Sequence, residues 1–302
     1  MPDTLRLVAK CHEHQEKVMK KTHLLIIDPQ NDFCDIAGAA LPVAGANADM
    51  QRLATFVDAH AARLDDIHVT LDSHNPVDIA HASWWVDSLG NPPVPFTVIS
   101  QDDVIAGKWR ARHPDAQARS AAYVRQLSQA GRYALLIWPE HCLIGSWGHN
   151  IQVDLMGALN RWARSRMEIV DYVTKGSNPF TEHYSAVQAE VPDAADPSTL
   201  VNTRFIDTLA RADQILIAGE ALSHCVANTV RDIAANFGDD NVRKLVLLGD
   251  CSSSVAGFES LGADFVTEMT ARGMRVMKST DYCNPEFRLR RIFPQPASAV
   301  ML

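Results

Sequence analysis

The sequence predicts an α/β fold: a mostly parallel sheet covered by helices on both faces, in three layers. Three observations carry the prediction. Short apolar runs of strand length alternate with helically spaced stretches along most of the 302 residues, the order that produces right-handed crossovers between parallel strands. An apolar content of 47% supplies a sizeable core. Residues 215–238 compress the pattern into one unit. There ILIA runs up to Gly219, a tight connection follows, and Val226, Val230, Ile233, Ala234 and Phe237 recur at helical spacing. This puts Cys225 at or near a first helical turn, beyond the carboxyl end of a strand. A helix N-terminus biases a thiol towards thiolate, and open α/β sheets bind ligands at that edge.

The elements follow in order. Residues 1–21 are a polar extension, in which Cys11, His12 and His14 read as solvated surface. Residues 23–28 form a strand that Pro29 ends, leaving Asp28 at its carboxyl end. A helix over 44–63 precedes a strand over 67–71 that leads into Asp72, Ser73 and His74. Residues 75–114 carry five prolines, the pair Trp84–Trp85 and little periodicity. Loops this long in compact domains are usually functional, so about 82–114 is read as an insertion near the mouth of a site. A helix over 116–131 leads to a strand over 133–138 and a turn with His141 and Cys142. A helix over 151–165 leads to a strand over 167–173 and then Thr174, Lys175 and Gly176. A polar loop over 176–197 and a helix over 199–211 bring the chain to 215–238. A strand over 242–248, a helix over 259–272 and a strand over 274–278 complete a single domain at 22–280, and 281–302 form a tail.

The formal charge of −8 argues against a nucleic-acid or anionic-membrane partner. Six cysteines without framework spacing indicate reduced thiols and a cytoplasmic setting. No leader peptide and no bilayer-spanning run is expected. With no G-x-G-x-x-G and no Walker motif, a dinucleotide or P-loop role has no support.

In a parallel sheet the strand ends share one edge. The residues just beyond them are Asp28, Asp72 with His74, His141 with Cys142, Lys175, and Cys225. A carboxylate, an amine and a thiol beyond three strands form a constellation for nucleophilic catalysis. Asp72 and His74 leave a strand two residues apart and so point the same way. With His81 and His141 they make a nitrogen- and oxygen-donor set for Zn²⁺, Mn²⁺ or Fe²⁺. Each residue keeps a bland alternative: Asp28 as a cap for backbone N–H groups, Lys175 and the histidines as solvated loop residues.

Five segments carry a family resemblance: IIDPQNDFC (26–34), DSHNPVDIAH (72–81), WPEHCLIGS (138–146), VTKG (173–176) and GEALSHCVANT (219–229). In this order they resemble the nicotinamidase branch of the isochorismatase-like cysteine hydrolases. The resemblance implies a six-stranded, Rossmann-like sheet and an amidase that hydrolyses nicotinamide, or a related pyridine or pyrazine carboxamide, to the acid and ammonia. It implies Asp28, Lys175 and Cys225 as the catalytic triad and Asp72, His74, His81 and His141 as ligands of a divalent metal, zinc first, with manganese or iron as alternatives. Phe33 and Trp138 would wall the ring. A cis peptide is implied between Glu220 and Ala221, with the Ala221 and Cys225 N–H groups as oxyanion donors. A homo-oligomer is implied as well.

The match departs from the family's pattern at ASWW (82–85), at Glu140, in the length of the stretch from His81 to His141 and in the length of both termini; the long insertion carries the basic run Lys108, Trp109, Arg110 and Arg112. That run reads as surface, or as a mouth that binds an anionic group. The departures keep a second activity open, a related cysteine amidase for another small amide or carbamoyl compound. A non-catalytic module that senses a pyridine ligand is the rival from another class.

Overall fold

Six strands form one sheet: β1 (Thr22–Ile27), β2 (Asp66–Asp72), β3 (Asp171–Lys175), β4 (Gln214–Gly219), β5 (Leu245–Leu248) and β6 (Arg275–Met277). Their order is β6-β5-β4-β1-β2-β3, and each neighbouring pair runs parallel. The computed structural model describes residues 20–282. The extension up to residue 19, with Cys11, His12 and His14, and the tail from 283 lie outside them.

Six helices are long enough to matter here: α1 (Ala46–His60), α2 (Gln117–Ala130), α3 (Val153–Arg166), α4 (Thr203–Ala210), α5 (Ala227–Phe237) and α6 (Glu259–Ala271). Alternation along β1 splits the core into two layers. Leu24 and Ile26 pack with Met50, Leu53 and Val57 of α1 and with Leu155, Leu159 and Trp162 of α3. Leu25 and Ile27 pack on the other face with Leu209 of α4, Val230 and Ile233 of α5, and Phe265 of α6. The four β1 side chains are fully buried, each worth about 1.5–3 kcal/mol relative to exposure. Burial on both faces explains why the strand reads as an unbroken apolar run.

The chain moves outward from β1 through β2 to β3 on one side, and from β4 through β5 to β6 on the other. The winding therefore reverses between β1 and β4, where a doubly wound sheet opens a crevice at its carboxyl edge. Register fixes what meets there. Ile27 pairs with Gly219 and Asp72 with Lys175.

A third core lies over this edge, built by residues 79–111 together with segments before and after them. Trp84, Trp85, Ile99, Tyr123, Leu127, Ile137 and Trp138 share it with Phe33 and Val43. The two tryptophans of ASWW are its anchors: Trp84 Nε1 donates to Ser120 Oγ at 3.0 Å and Trp85 Nε1 to the Ile79 carbonyl at 2.8 Å. The expected strand over 133–138 needs correction here. Only Leu135–Leu136 pair, antiparallel with Val98–Ile99 and outside the six-stranded sheet. The run and α2 are apolar because they pack in this third core, and apolarity does not report which sheet a segment joins. The strand expected over 167–173 also shifts. Met167 closes α3 in the left-handed region at φ +54°, so β3 starts at Asp171 and Lys175 is its last residue. Among the described residues no helix is long and apolar enough to cross a membrane.

Candidate active site

Asp28 follows β1 at φ +45° and is wholly buried. Its N–H donates to the carbonyl and hydroxyl oxygens of Thr70 at 3.2 and 3.1 Å, and the Thr70 hydroxyl donates to Asp28 Oδ1 at 2.5 Å. Lys175 reaches it from β3. The Lys175 ammonium lies 3.0 Å from Asp28 Oδ2, 3.0 Å from Asp72 Oδ1 and 3.6 Å from Cys225 Sγ, and donates to the His183 carbonyl at 2.8 Å. The three residues picked from strand ends therefore meet around one nitrogen.

Cys225 sits in a π-helical turn, Leu222–Val226, ahead of α5. The Glu220–Ala221 peptide is cis, as the resemblance implied. Gly219 precedes it at φ +117°, where any Cβ would collide with the Ile27 carbonyl oxygen. The connection can pass this close to β1 only as glycine.

Burial pushes the Cys225 thiol well above its ordinary range; Lys175 pulls it down, but Asp28 and Asp72 push it further up. The helix-end field thus acts on a buried group that faces two carboxyls as well as the ammonium. Burial also raises Asp28, against the opposing pull of Lys175. Burial disfavours the Lys175 charge, yet Asp28, Asp72 and Cys225 outweigh it and hold its pKa well above the usual value. The result is a fixed cation beside a carboxyl suited to exchanging a proton with a thiol.

One candidate metal-ligating group lies at the same edge. Ligand atoms of Asp72, His74 and His141 come within 4.8 Å of one another. His74 Nε2 and His141 Nε2 face Asp72 Oδ2 at 3.2 and 3.4 Å. Their Nδ1 atoms are engaged behind: His74 donates to Asp78 at 3.1 Å and His141 to the Pro139 carbonyl at 2.8 Å. Such outer contacts fix the tautomer that leaves Nε2 free to ligate. His81 lies outside the three-residue group, its ring centroid 5.2 Å from His74 and 5.7 Å from His141. Burial pushes its pKa down to about 4, which keeps the imidazole neutral. Both His81 nitrogens are buried without a hydrogen-bond partner among the described residues, and His74 Nε2 faces the Asp72 carboxylate. Buried polar atoms without partners are costly, and a cation would satisfy them, so the donor set fits a divalent ion.

His141 does not arrive from a strand of the sheet. Its segment is clipped to the loop after β2: Trp138 N–H donates to the Ala80 carbonyl at 2.8 Å, His74 N–H to the Cys142 carbonyl at 3.1 Å, and Ile144 N–H to the His74 carbonyl at 3.0 Å. A second cluster, His23, Asp66 and His68, lies at the opposite, amino end of the sheet. There Asp171, His68 and His23 form a hydrogen-bonded chain at 3.0 Å per link that satisfies the rings.

Cys225, Asp72 and His141 line one cavity with Phe33, Leu41, Trp138, Glu182, Tyr184, Ala221, His224 and Val255. Phe33 and Trp138 thus stand where walls were expected. Three lining residues were not foreseen: Glu182, Tyr184 and His224. Glu182 Oε1 lies 4.0 Å from His74 Nε2, and its Oε2 has no hydrogen-bond partner among the described residues. Tyr184 accepts the Trp138 indole N–H at 3.0 Å. The first two come from the segment read as a polar loop, yet Thr181–Ser185 is buried. The run Thr-Glu-His-Tyr-Ser, whose residues all titrate or carry a hydroxyl, was the available signal. Lys108, Trp109, Arg110 and Arg112 do not line the cavity; Lys108 pairs with Asp103 on the surface. Glu140 is exposed.

No protein-family model matches the sequence, and no curated protein matches it. Solved structures do. The Acinetobacter baumanii nicotinamidase/pyrazinamidase superposes with a TM-score of 0.58 at 19% identity, over 88% of this chain and 100% of that one. The yeast nicotinamidase Pnc1p gives 0.59 at 18%, over 85% and 99%. The Pyrococcus horikoshii pyrazinamidase, solved in complex with zinc, gives 0.51 at 17%, over 85% and 99%. At such identities the likeness shows a shared fold, the α/β architecture with a six-stranded parallel sheet.

Proposed function

We propose that the chain is a cysteine amidohydrolase of the nicotinamidase branch of the isochorismatase-like hydrolases. Its substrate in this reading is nicotinamide or a related pyridine or pyrazine carboxamide, cleaved to the acid and ammonia. The observation that carries the reading is one buried ammonium, Lys175 Nζ, in contact with the Asp28 carboxyl at 3.0 Å and the Cys225 sulfur at 3.6 Å. The names of the structural neighbours support the same chemistry.

Amides are poor electrophiles, so the reaction needs an activated nucleophile and a stabilised oxyanion. Asp28 takes the Cys225 proton while Lys175 holds the resulting charge. The thiolate adds to the carboxamide carbon, and the carbonyl π pair moves to oxygen, where the Ala221 and Cys225 N–H groups are the proposed donors. The pair returns, the C–N bond breaks, and Asp28 delivers its proton to the departing ammonia. Water then adds to the thioester and gives a proton to Asp28. The C–S bond breaks, the acid leaves, and the proton returns to sulfur. Phe33, Trp138 and Tyr184 hold a flat ring and exclude water. Asp72, His74 and His141 would hold a divalent ion, with His81 and Glu182 beside them. Bound there, zinc (or manganese or iron) supplies a Lewis-acid docking point for a ring nitrogen.

The test is ammonia release from a panel of carboxamides by the wild-type chain and by Cys225→Ala. The variant is expected to lose at least about 1,000-fold in kcat while still binding nicotinamide by calorimetry. Release at the wild-type rate by the variant would remove Cys225 as nucleophile. Binding without release by the wild type would establish the non-catalytic reading instead.

A further inference from the structure

The cavity holds an imidazole that the proposed chemistry does not use. His224 directly precedes the nucleophile, is 4% exposed, and lines the cavity beside Trp138 and Tyr184. Aromatic rings surround it: Phe258 at 5.0 Å, Trp138 at 5.3 Å, Tyr184 at 5.5 Å and Tyr133 stacked at 5.8 Å. Burial pushes its pKa down to about 4, so the ring is neutral at pH 7, with one N–H and one bare nitrogen.

Its neighbours decide which nitrogen carries the hydrogen. Nδ1 lies 2.9 Å from Ser223 Oγ, and that oxygen also accepts the Val255 N–H at 3.1 Å. Ser223 is wholly buried. Among the described residues, His224 Nδ1 is the one acceptor in bonding contact with the Ser223 hydroxyl. Were Nδ1 to carry the hydrogen, the serine would accept twice and its own proton would be buried unmatched, the costly outcome for a polar group. Ser223 therefore donates to Nδ1, and the hydrogen of His224 resides on Nε2, the edge left to the cavity.

We infer that His224 Nε2–H is a fixed hydrogen-bond donor of the substrate cavity, and that it selects aromatic carboxamides bearing a second acceptor on the ring. The inference rests on the amidase reading for its substrate class. The cavity then has three chemically distinct stations: the thiol for the carboxamide, the Asp72 and His141 end for one ring acceptor, and His224 for another. A ligand that puts a C–H edge against His224 leaves a desolvated donor unmatched in an aromatic cage. Sites built to hydrogen-bond a ligand discriminate strongly against analogues that lack the partner.

Two measurements test this. Long-range proton–nitrogen NMR of the histidine-labelled chain reads the tautomer directly, with the His224 signals identified by their loss in His224→Phe. A bare Nδ1 and a protonated Nε2 are expected; the reverse overturns the inference. The second measurement is a nitrogen walk. Pyrazine-2-, pyrimidine-5-, pyridazine-3- and pyridazine-4-carboxamide each carry a second ring nitrogen, at different positions relative to the carboxamide. One isomer is expected to exceed the others and nicotinamide by about 10-fold or more in kcat/KM. That preference should collapse in His224→Phe and return in part in His224→Gln, which restores an N–H donor. Electronic activation by the extra nitrogen acts on both variants and cancels in the ratio. A preference that is absent, or unchanged in His224→Phe, overturns the inference. If no carboxamide releases ammonia, the amidase reading fails, while the donor is still judged by whether the His224 Nε2–H signal shifts with one diazine carboxamide and not with nicotinamide.

Discussion

Lys175→Met is the perturbation whose size the structure fixes best. The ammonium is 1% exposed and lies 3.0 Å from each of two carboxylates, themselves 0% and 4% exposed. At an effective dielectric near 20, each contact is worth about 5–6 kcal/mol of attraction. Desolvation of the three charges offsets most of this, and removing one partner of a buried ion pair costs about 3–5 kcal/mol in practice. Two carboxylates share this cation, so the loss belongs at the upper end, about 4–5 kcal/mol. Methionine keeps much of the stem volume, which limits any cavity contribution. Urea unfolding at pH 7, followed by circular dichroism with a chelator present, reads the loss as a shift in midpoint at constant slope. Lys108→Met is the control: its pair with Asp103 is 2.9 Å long but the lysine is 61% exposed, so less than about 1 kcal/mol is expected. Equal losses in the two variants would refute the idea that one buried cation neutralises this edge.

Glu190→Gln tests a second buried charge. The Glu190 side chain is 4% exposed, and burial raises its pKa from 4.5 to about 7, against the pull of Arg132. Between those two values the folded chain binds more protons than the unfolded one, so wild-type stability falls as pH rises through that window and levels off above it. An amide at this position has no proton to lose, and the variant should gain on the wild type across the window, by about 3 kcal/mol at the plateau; urea midpoints at half-unit pH steps check this, and parallel curves would contradict it. Gly219→Ala should destabilise by about 3 kcal/mol or more, since it meets both a left-handed φ and the Ile27 carbonyl; a thermal midpoint within about 2–3 °C of wild type would show that the connection yields.

Much of the sheet was legible because its strands are buried on both faces and therefore read as apolar runs. Asp28, Lys175 and Cys225 were legible for a related reason: a charged or nucleophilic side chain just past such a run has few places to be except the sheet's edge. The strand over 133–138 misled because residues of the third core, such as Ile137, are as apolar as those of β1. Met167 misled because a side chain in the left-handed region does not announce itself by type. The segment with Glu182 and Tyr184 looked like solvated loop, since polarity does not distinguish residues facing water from residues that satisfy one another around a cavity. The part assigned to His224 was not legible, because it depends on Ser223 and Val255, and the Ser223–Val255 contact spans 32 residues of chain.

The identity of residue 175 follows from the sheet order. Asp28 extends β1, Asp72 ends β2, and Lys175 ends β3, so the amine must cross from the third strand to the first, two spacings of about 4.8 Å each. Asp72 stands on the intervening strand, in register with Lys175, and the ammonium touches it on the way to Asp28. Only a long side chain ending in a cation covers that span, and a flexible stem with a compact charge can serve both carboxylates and the sulfur at once. The same nitrogen therefore ties the proton-transfer carboxyl to the carboxylate of the candidate metal group. A change at either one alters the field at the other: Asp72→Asn should lower metal content and, with a chelator present, raise the reactivity of Cys225 towards iodoacetamide, because Asp72 pushes the thiol pKa up. A variant that lost the metal but kept wild-type thiol reactivity would break this coupling and leave Lys175 serving Asp28 alone.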